Sequence, residues 1–280
     1  MDRPEFTVQI FKADEGTREP FMARMWAGAM ELRDHLPQHL RQPFEDLYPL
    51  NSLEAARERA KALSLLLASH RAKLTSGEGV SRQPSVLYLP ESIDLPLNRE
   101  FSAFVLDVAR AFKTTQDLTR RLGVEIGCVY VSAVKFEAGL AALGERGESE
   151  LATYLAAARR AWGDRLTQRR IAVEHGHWSL PPVRYREIGE GRAEMAEPAV
   201  DGQAVSAFVA EMLGRVVAFV EDMVALSVQR HIRPPCTLGE IPRGERDPQF
   251  PRRFELIAPA LQPSKRPWRL TPPSDPFPDN

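Results

Sequence analysis

Five ionisable side chains crowd a short stretch of this sequence: Arg169, Arg170, Glu174, His175 and His177. An arginine binds a phosphate group through a planar fork of N–H donors. A histidine exchanges a proton near neutral pH, so it can act as a general acid or a general base. Arginine and histidine side chains on one short segment are therefore suited to chemistry at a phosphate group.

A single helix over residues 150–174 is predicted to position this cluster. Apolar side chains recur along it at spacings of three or four residues, as expected for a face turned to the core: Leu151, Leu155, Ala158, Trp162 and Leu166. Arg170 lies about 40° around the helix from this stripe, so we expect it near the buried face. His175 precedes Gly176, a residue suited to the left-handed turn that ends many helices. Arg159 and Arg160 are expected on the solvated face, and the alternative is that they extend a phosphate-binding surface together with Arg165.

The string from Arg170 to His175 resembles the R-x(4–6)-H motif of HEPN domains. The pattern over 169–185 is similar to a branch of prokaryotic HEPN-like proteins in which an arm follows the motif: Arg-Arg-x-x-x-Glu-His-Gly-x-Trp-x-Leu-Pro-x-Val-x-Tyr. Outside this stretch the resemblance rests on helix order, with predicted helices over 101–122 before the motif and 203–232 after it.

The resemblance implies an α-helical bundle, and many members of this superfamily are metal-independent endoribonucleases. In that chemistry the RNA 2′-hydroxyl attacks the adjacent phosphate. His175 would move a proton, and Arg170 would stabilise the charge on the phosphoryl oxygens. The resemblance also implies a homodimer with its site between two protomers, no cofactor, and a neutralising partner protein if the chain is a toxin or defence effector.

Several alternatives stay open at the motif. HEPN ribonucleases usually carry a polar residue after the arginine, whereas Ile171 stands here. If Arg169 is the motif arginine instead, the spacing becomes R-x5-H and Arg170 takes the polar place. Glu174 either pairs with Arg170 one helical turn away or orients the active arginine. His177 is a surface-loop residue or a second RNA contact.

The aromatic residues of the arm, Trp178 and Tyr185, are expected to pack on the bundle, with base stacking as the alternative. A catalytically silent HEPN-like module for binding or dimerisation is the second function considered, and an unrelated all-α regulatory protein is the third. We predict no metal site. Two histidines that bind zinc from one helix are typically four residues apart, whereas His175 and His177 are two apart.

Composition adds bounds to these interpretations. The chain has 280 residues, 43% of them hydrophobic, which is enough for a sizeable core. Its 37 basic and 38 acidic residues nearly cancel, so no overall field draws it to nucleic acid or to a membrane. The first residues do not resemble a signal peptide and no stretch is apolar enough to span a bilayer, so a cytoplasmic location is expected.

The sequence predicts a mostly α fold with a few short peripheral strands and a Pro-rich C-terminal tail. Three regions are expected: 1–100 as N-terminal helices and an arm packed on the bundle, 101–232 as the HEPN-like bundle, and 233–280 as the tail. Further helices are predicted over 21–36, 52–74 and 137–143. An extended arm or short strand is predicted over 6–11, and a short strand or hairpin arm over 180–185. Short strands are predicted over 86–89 and 254–257, and a polar loop over 189–202.

Overall fold

The computed structural model describes residues 20–78, 80–83, 86–89, 91–127, 132–189 and 191–273. Its helices are α1 (Phe21–Asp34), α2 (Gln38–Leu47), α3 (Leu50–Ser76), α4 (Asp94–Arg121), α5 (Ala133–Glu145), α6 (Ser149–Ala158), α7 (Asp164–Glu174) and α8 (Val205–Gln229). Short antiparallel pairs are formed by β1 (Ser81–Gln83) with β2 (Val86–Tyr88), β3 (Arg184–Gly189) with β4 (Arg192–Ala196), β5 (Ala199–Val200) with β6 (Gln203–Ala204), and β7 (Thr237–Glu240) with β8 (Phe254–Ile257). The protein is mostly helical, as predicted.

Helix α4 is the centre of the bundle, since α2, α3, α7 and α8 all pack on it. Its Phe112 ring stacks on Trp162 at 5.5 Å and contacts Phe219 of α8 at 5.0 Å. Nearer its start, Phe101 contacts Phe208 at 5.9 Å. These fully or almost fully buried aromatic rings join the helix before the motif, the motif segment and the helix after it in one core.

Helix α4 begins seven residues before the predicted start at 101. Pro96 lies in its first turn, where a missing backbone N–H removes no helical hydrogen bond. The helix ends at Arg121, one residue before the predicted end, and Gly123 with φ +86° follows it. Helix α4 runs through residue 100 and α3 packs along it, so the first helices share the core. The division into 1–100, 101–232 and 233–280 stays a prediction.

Helix α2 was not predicted. Pro37 precedes it and Pro43 lies inside it, and both residues signal a break when only local sequence is considered. The helix nevertheless buries Leu40 and Phe44 against the core. Tertiary packing therefore outweighs the local penalty of the interior proline.

The predicted helix 150–174 is interrupted by a turn of π-helix over Arg159–Gly163, between α6 and α7. The Arg159 side chain lies inside the fold, where its guanidinium stacks on the Phe136 ring at 4.2 Å and its Nε donates to Asp164 at 2.6 Å. The expectation that Arg159 lies on a solvated face was wrong: Arg159 follows the buried Leu155 by four residues, so it lies on the same, buried side of the helix. Arg160 is exposed, as expected.

The predicted polar loop over 189–202 was also wrong, because most of it forms strands. β4 pairs with β3 in a hairpin, and its Ala193 and Met195 are buried while the intervening residues are exposed. That alternation is the mark of a strand with one buried face. The predicted strand at 180–185 begins later, at Arg184.

The Pro-rich tail packs on the bundle through the β7–β8 pair, where Leu238, Phe254 and Ile257 are buried. The prediction of a strand at 254–257 is confirmed. The strand predicted at 6–11 lies outside the described residues. None of the helices in the described ranges combines the length and apolar character needed to cross a membrane.

Candidate functional site

The predicted site residues lie at the carboxyl end of α7, which closes in a Schellman motif. The His177 N–H donates to the Ala172 carbonyl at 3.0 Å, and the Gly176 N–H donates to the Val173 carbonyl at 3.1 Å. Gly176 has φ +65°, the left-handed conformation predicted for it. These bonds fix the backbone on both sides of His175, so the histidines are presented by an ordered turn.

Arg170 and Glu174 form an ion pair one helical turn apart, with 3.0 Å between Arg170 Nε and Glu174 Oε1. This confirms the pairing that the spacing favoured. The Arg170 side chain keeps 31% of its surface exposed. It therefore lies at the surface beside the apolar stripe, where a solute can reach it.

His175 and His177 are both exposed, and their rings stack with centroids 6.0 Å apart and planes 26° from parallel. Ile171, on the last two turns of the same helix, is 49% exposed. The end of α7 thus presents an open surface with an arginine, a carboxylate, two imidazoles and an apolar side chain. We call the four ionisable residues of this surface, Arg170, Glu174, His175 and His177, the α7 terminal cluster.

Arg169, the alternative motif arginine, is held elsewhere. Its Nη2 donates to Asp201 Oδ1, and its guanidinium lies over the Trp178 ring at 4.8 Å. Arg165 also donates to Asp201, through Nε at 3.3 Å, and lies over the Phe208 ring at 5.2 Å. Both arginines therefore join α7 to its neighbours, whereas Arg170 pairs only within its own helix and is more exposed than Arg169, with 31% against 21% of the side-chain surface.

Asp201 belongs to the two-residue turn between β5 and β6, where it has φ +52° and is followed by Gly202 with φ +80°. Positive φ at both central positions is the arrangement of a type I′ hairpin turn, which Asp-Gly favours. The sequence analysis missed this residue. The Asp-Gly dipeptide between two short apolar runs was the signal that could have found the turn, although not its arginine partners.

The arm after the motif is anchored on the first turns of α4. The Leu180 N–H donates to Asn98 Oδ1 at 2.9 Å, and the Val183 N–H donates to Asp94 Oδ1 at 2.8 Å. The intervening Pro181 and Pro182 have no N–H to satisfy, so the extended arm leaves few unpaired donors.

The aromatic side chains of the arm pack as predicted. Trp178 contacts Phe101 with ring centroids 5.3 Å apart. Tyr185 lies edge-on to His70, with 3.1 Å between the Tyr185 hydroxyl and His70 Nε2. Burial, followed by the nearby Asp94 carboxylate, raises the pKa of Tyr185. Burial also lowers the pKa of His70, with Lys73 as the next cause.

Arg170 and His175 do not converge within one chain. Five residues along an α-helix correspond to about 140° of rotation, so the two side chains leave the helix in different directions. His175 instead faces His177, and Arg170 faces Glu174. For one phosphate to contact both an Arg170 and a His175 side chain, one of the two side chains would have to come from another molecule.

A second ionic cluster, which local sequence does not predict, is centred on two buried carboxylates of α8. Arg24 of α1 binds Glu221 through two hydrogen bonds of 2.8 and 2.5 Å. Arg253 lies 2.9 Å from Asp222 and 3.7 Å from Glu221. The Tyr154 hydroxyl donates to Asp222 at 2.8 Å. We call Arg24, Tyr154, Glu221, Asp222 and Arg253 the α8 ionic cluster.

Burial dominates the electrostatics of this cluster. It raises the pKa of Asp222 to about 6, against the opposing effects of Arg253 and the Tyr154 hydrogen bond. Burial also raises the pKa of Tyr154, and Asp222 adds to the effect. No local pattern in the sequence marks this cluster, because its members come from segments as far apart as Arg24 and Arg253 and only packing brings them together.

The described residues include no group of three or more His, Cys, Asp and Glu side chains placed to hold a metal ion. Comparison with models of known protein families, with curated proteins and with solved structures finds no match to this chain.

Proposed function

We propose that this chain is a HEPN-like helical protein whose α7 terminal cluster cleaves RNA without a metal ion. The observation that carries the proposal is a partly exposed arginine, Arg170, beside two exposed histidines at an ordered helix end, while Arg165 and Arg169 are bound to Asp201. The packing of α4 beside α7 and α8, and the R-x4-H spacing of Arg170 and His175, support the HEPN-like assignment.

The proposed reaction is an internal transesterification. One imidazole accepts the proton of the RNA 2′-hydroxyl as its oxygen bonds to phosphorus. The bond to the 5′-oxygen breaks, and that oxygen takes a proton from an acid, leaving a 2′,3′-cyclic phosphate and a 5′-hydroxyl. Arg170 stabilises the charge on the phosphoryl oxygens. His175 serves as one proton carrier, and the stacked His177 is positioned to serve as the other.

The proposal requires a symmetric homodimer, because Arg170 and His175 diverge within one chain. Two α7 ends that meet across a two-fold axis bring Arg170 of one protomer beside His175 of the other. The exposed Ile171, between these residues on the helix, supplies an apolar contact for that interface.

The test is cleavage of several folded and unfolded RNAs by purified full-length protein in EDTA. We expect cleavage with cyclic-phosphate ends, and a loss of about 10²- to 10⁴-fold in His175→Ala, the usual contribution of a general acid or base. His39→Ala removes another exposed histidine, on α2, and should leave cleavage unchanged.

Arginine variants test the register of the motif. Arg170→Ala should abolish cleavage, whereas Arg186→Ala should not, although Arg186 also forms an exposed ion pair with a glutamate, Glu194 at 2.6 Å. Activity retained in Arg170→Ala and His175→Ala would refute the assignment of the site. A dimeric, folded wild-type protein that cleaves none of the RNAs would refute the ribonuclease proposal.

A second function, a catalytically silent HEPN-like module for binding or dimerisation, is favoured by one observation. Glu174 already occupies the Arg170 guanidinium, so an incoming phosphate must displace a carboxylate. Glu174→Gln distinguishes the two functions. In either case this substitution should raise the affinity for RNA, because it removes a negative charge that competes with the phosphate. Only if the protein is a ribonuclease should the variant also cleave the RNA that it binds.

A further inference from the structure

A cavity of about 350 Å³ opens where the start of α1 meets the segment that follows β7. Three of the residues lining it are arginines: Arg24 from α1, and Arg243 and Arg246 from the segment around residue 245. Among the residues that the structure describes, no carboxylate lines this cavity. It lies apart from the α7 terminal cluster and has no role in the proposed RNA cleavage. We call it the α1 pocket.

Two of these arginines are held in place by other groups of the protein. Arg24 is fixed by its paired hydrogen bonds to the buried carboxylate of Glu221. Arg246 donates its Nε to the Ile241 carbonyl at 3.0 Å and lies 3.6 Å from Glu240. A binding site with its side chains already ordered loses less entropy when a ligand arrives. Arg243 is exposed, at the rim of the pocket.

The electrostatics around Arg246 favour an anion. Burial lowers the pKa of Arg246, and the neighbouring guanidiniums of Arg24 and Arg253 lower it further, against the opposing effects of Glu221 and Glu240. The carboxylates behind the pocket thus do not fully offset burial and repulsion between like charges. A negative group in the pocket would reduce that repulsion and supply acceptors to the guanidinium forks.

The rest of the lining is apolar. Phe21, Pro248 and Pro251 line the pocket together with the arginines. The combination of rigid apolar surfaces with a few charged donors is typical of small-molecule sites, and the volume falls within their usual range of about 300–1,000 Å³. A free inorganic ion would leave this apolar surface unused, so the lining fits an anion that also carries a flat ring.

We propose that the α1 pocket binds a small organic phosphate of mononucleotide size. The phosphate lies on Arg24, Arg243 and Arg246, and the ring packs against Phe21 and the prolines. Arginine is favoured over lysine at such sites because its planar fork matches the geometry of phosphate oxygens.

Titration calorimetry on the full-length protein tests this proposal with adenosine 5′-monophosphate and cytidine 5′-monophosphate as probes. Adenosine and inorganic phosphate, each alone, are the control ligands. We expect both nucleotides to bind, adenosine not to bind, and inorganic phosphate to bind at least about tenfold more weakly than the nucleotides. Arg243→Glu should weaken nucleotide binding about tenfold or more, and circular dichroism checks that the variant is folded.

Arg233→Glu is the matched control, a charge reversal at another exposed arginine outside the pocket. Nucleotide binding that Arg243→Glu leaves intact, or that Arg233→Glu weakens equally, would place the ligand elsewhere and overturn the proposal. Binding of adenosine as tight as that of its monophosphate would overturn the role of the arginines. If neither nucleotide binds at millimolar concentration, the proposal that the α1 pocket is a binding site is overturned.

Discussion

Glu221 and Asp222 are consecutive carboxylates on α8 that are both buried, with 8% and 7% of their surface exposed. Two adjacent acids lose hydration together, and their mutual repulsion adds to that loss. Arg24 and Arg253 supply the opposite charge, and Tyr154 donates a hydrogen bond. The cluster therefore holds the first helix and the C-terminal strands to α8, and its protonation is linked to folding.

Asp222 should make folding stability fall as the pH rises. Its pKa is about 3.8 ordinarily and about 6 in the fold, so the folded state binds the proton more tightly. The contribution is fully present below pH 4 and is lost as the pH rises through 6. This contribution to the free energy of unfolding is roughly 3 kcal/mol, since each pH unit between the two pKa values corresponds to about 1.4 kcal/mol.

The measurement is the free energy of urea unfolding of wild type minus that of Asp222→Asn, from pH 4 to pH 8. A difference that decreases with rising pH is the expected result, and an NMR titration of the Asp222 carboxyl carbon should give a midpoint near pH 6. A titration midpoint of the Asp222 carboxyl near pH 4, together with a free-energy difference that does not change with pH, would contradict the prediction. The other charged groups around this carboxyl, Glu221, Glu240 and Arg253, remain in both proteins.

At the scale of elements, the end of α7 decides how the site is presented. Gly176 permits the left-handed turn that directs the chain from the helix into the arm, and the arm is then fixed by Asp94 and Asn98 of α4. The same helix is joined to the β5–β6 turn through Asp201. The α7 terminal cluster is thus exposed while the backbone that carries it is attached on two sides.

Gly176→Ala should lower the free energy of unfolding by about 1–2 kcal/mol, since a side chain at φ +65° is strained. Gly214→Ala is the matched control: Gly214 lies inside α8, and a Cβ there meets no atom within 4 Å. Alanine at that position should raise stability by up to about 1 kcal/mol. Denaturant unfolding of both variants checks the pair. Equal effects of the two substitutions would show that the turn is unimportant.

At the scale of the whole molecule, the C-terminal region is part of the fold. Leu238, Phe254 and Ile257 are buried, and Arg253 reaches the acids of α8 while it lies 4.9 Å from the Phe254 ring. Composition alone marks this region as a Pro-rich tail. Its packing shows that the bundle ends in a structural strap that closes over α1 and α8.

A chain ending at Ile232 should fail to unfold cooperatively, because Glu221 and Asp222 would lose Arg253 and the core would lose three apolar side chains. Phe254→Ala in the full chain should cost about 3–5 kcal/mol, the usual penalty for removing a buried ring. Leu261→Ala, at a position 84% exposed, should change stability little. Circular dichroism and thermal melting distinguish these outcomes, and a cooperative transition in the shortened chain would contradict the strap.

The sequence by itself determined the features that depend on near neighbours. Apolar residues three or four positions apart identified the long helices, because that spacing gives a helix one buried face. Gly176 marked the end of α7, and the Arg170–Glu174 pair followed from a separation of one helical turn. The strand at 254–257 was also read from its local composition.

Only the tertiary structure decided the features that depend on distant partners. Arg169 and Arg170 are equivalent motif candidates in sequence, but Asp201, 32 positions away, binds only Arg169 of the two. The burial of Arg159 against Phe136 and the burial of Glu221 and Asp222 likewise depend on packing against distant segments. Local spacing sets which residues share a helix face, whereas the fold determines which charges meet, because ion pairs form wherever packing brings their side chains together.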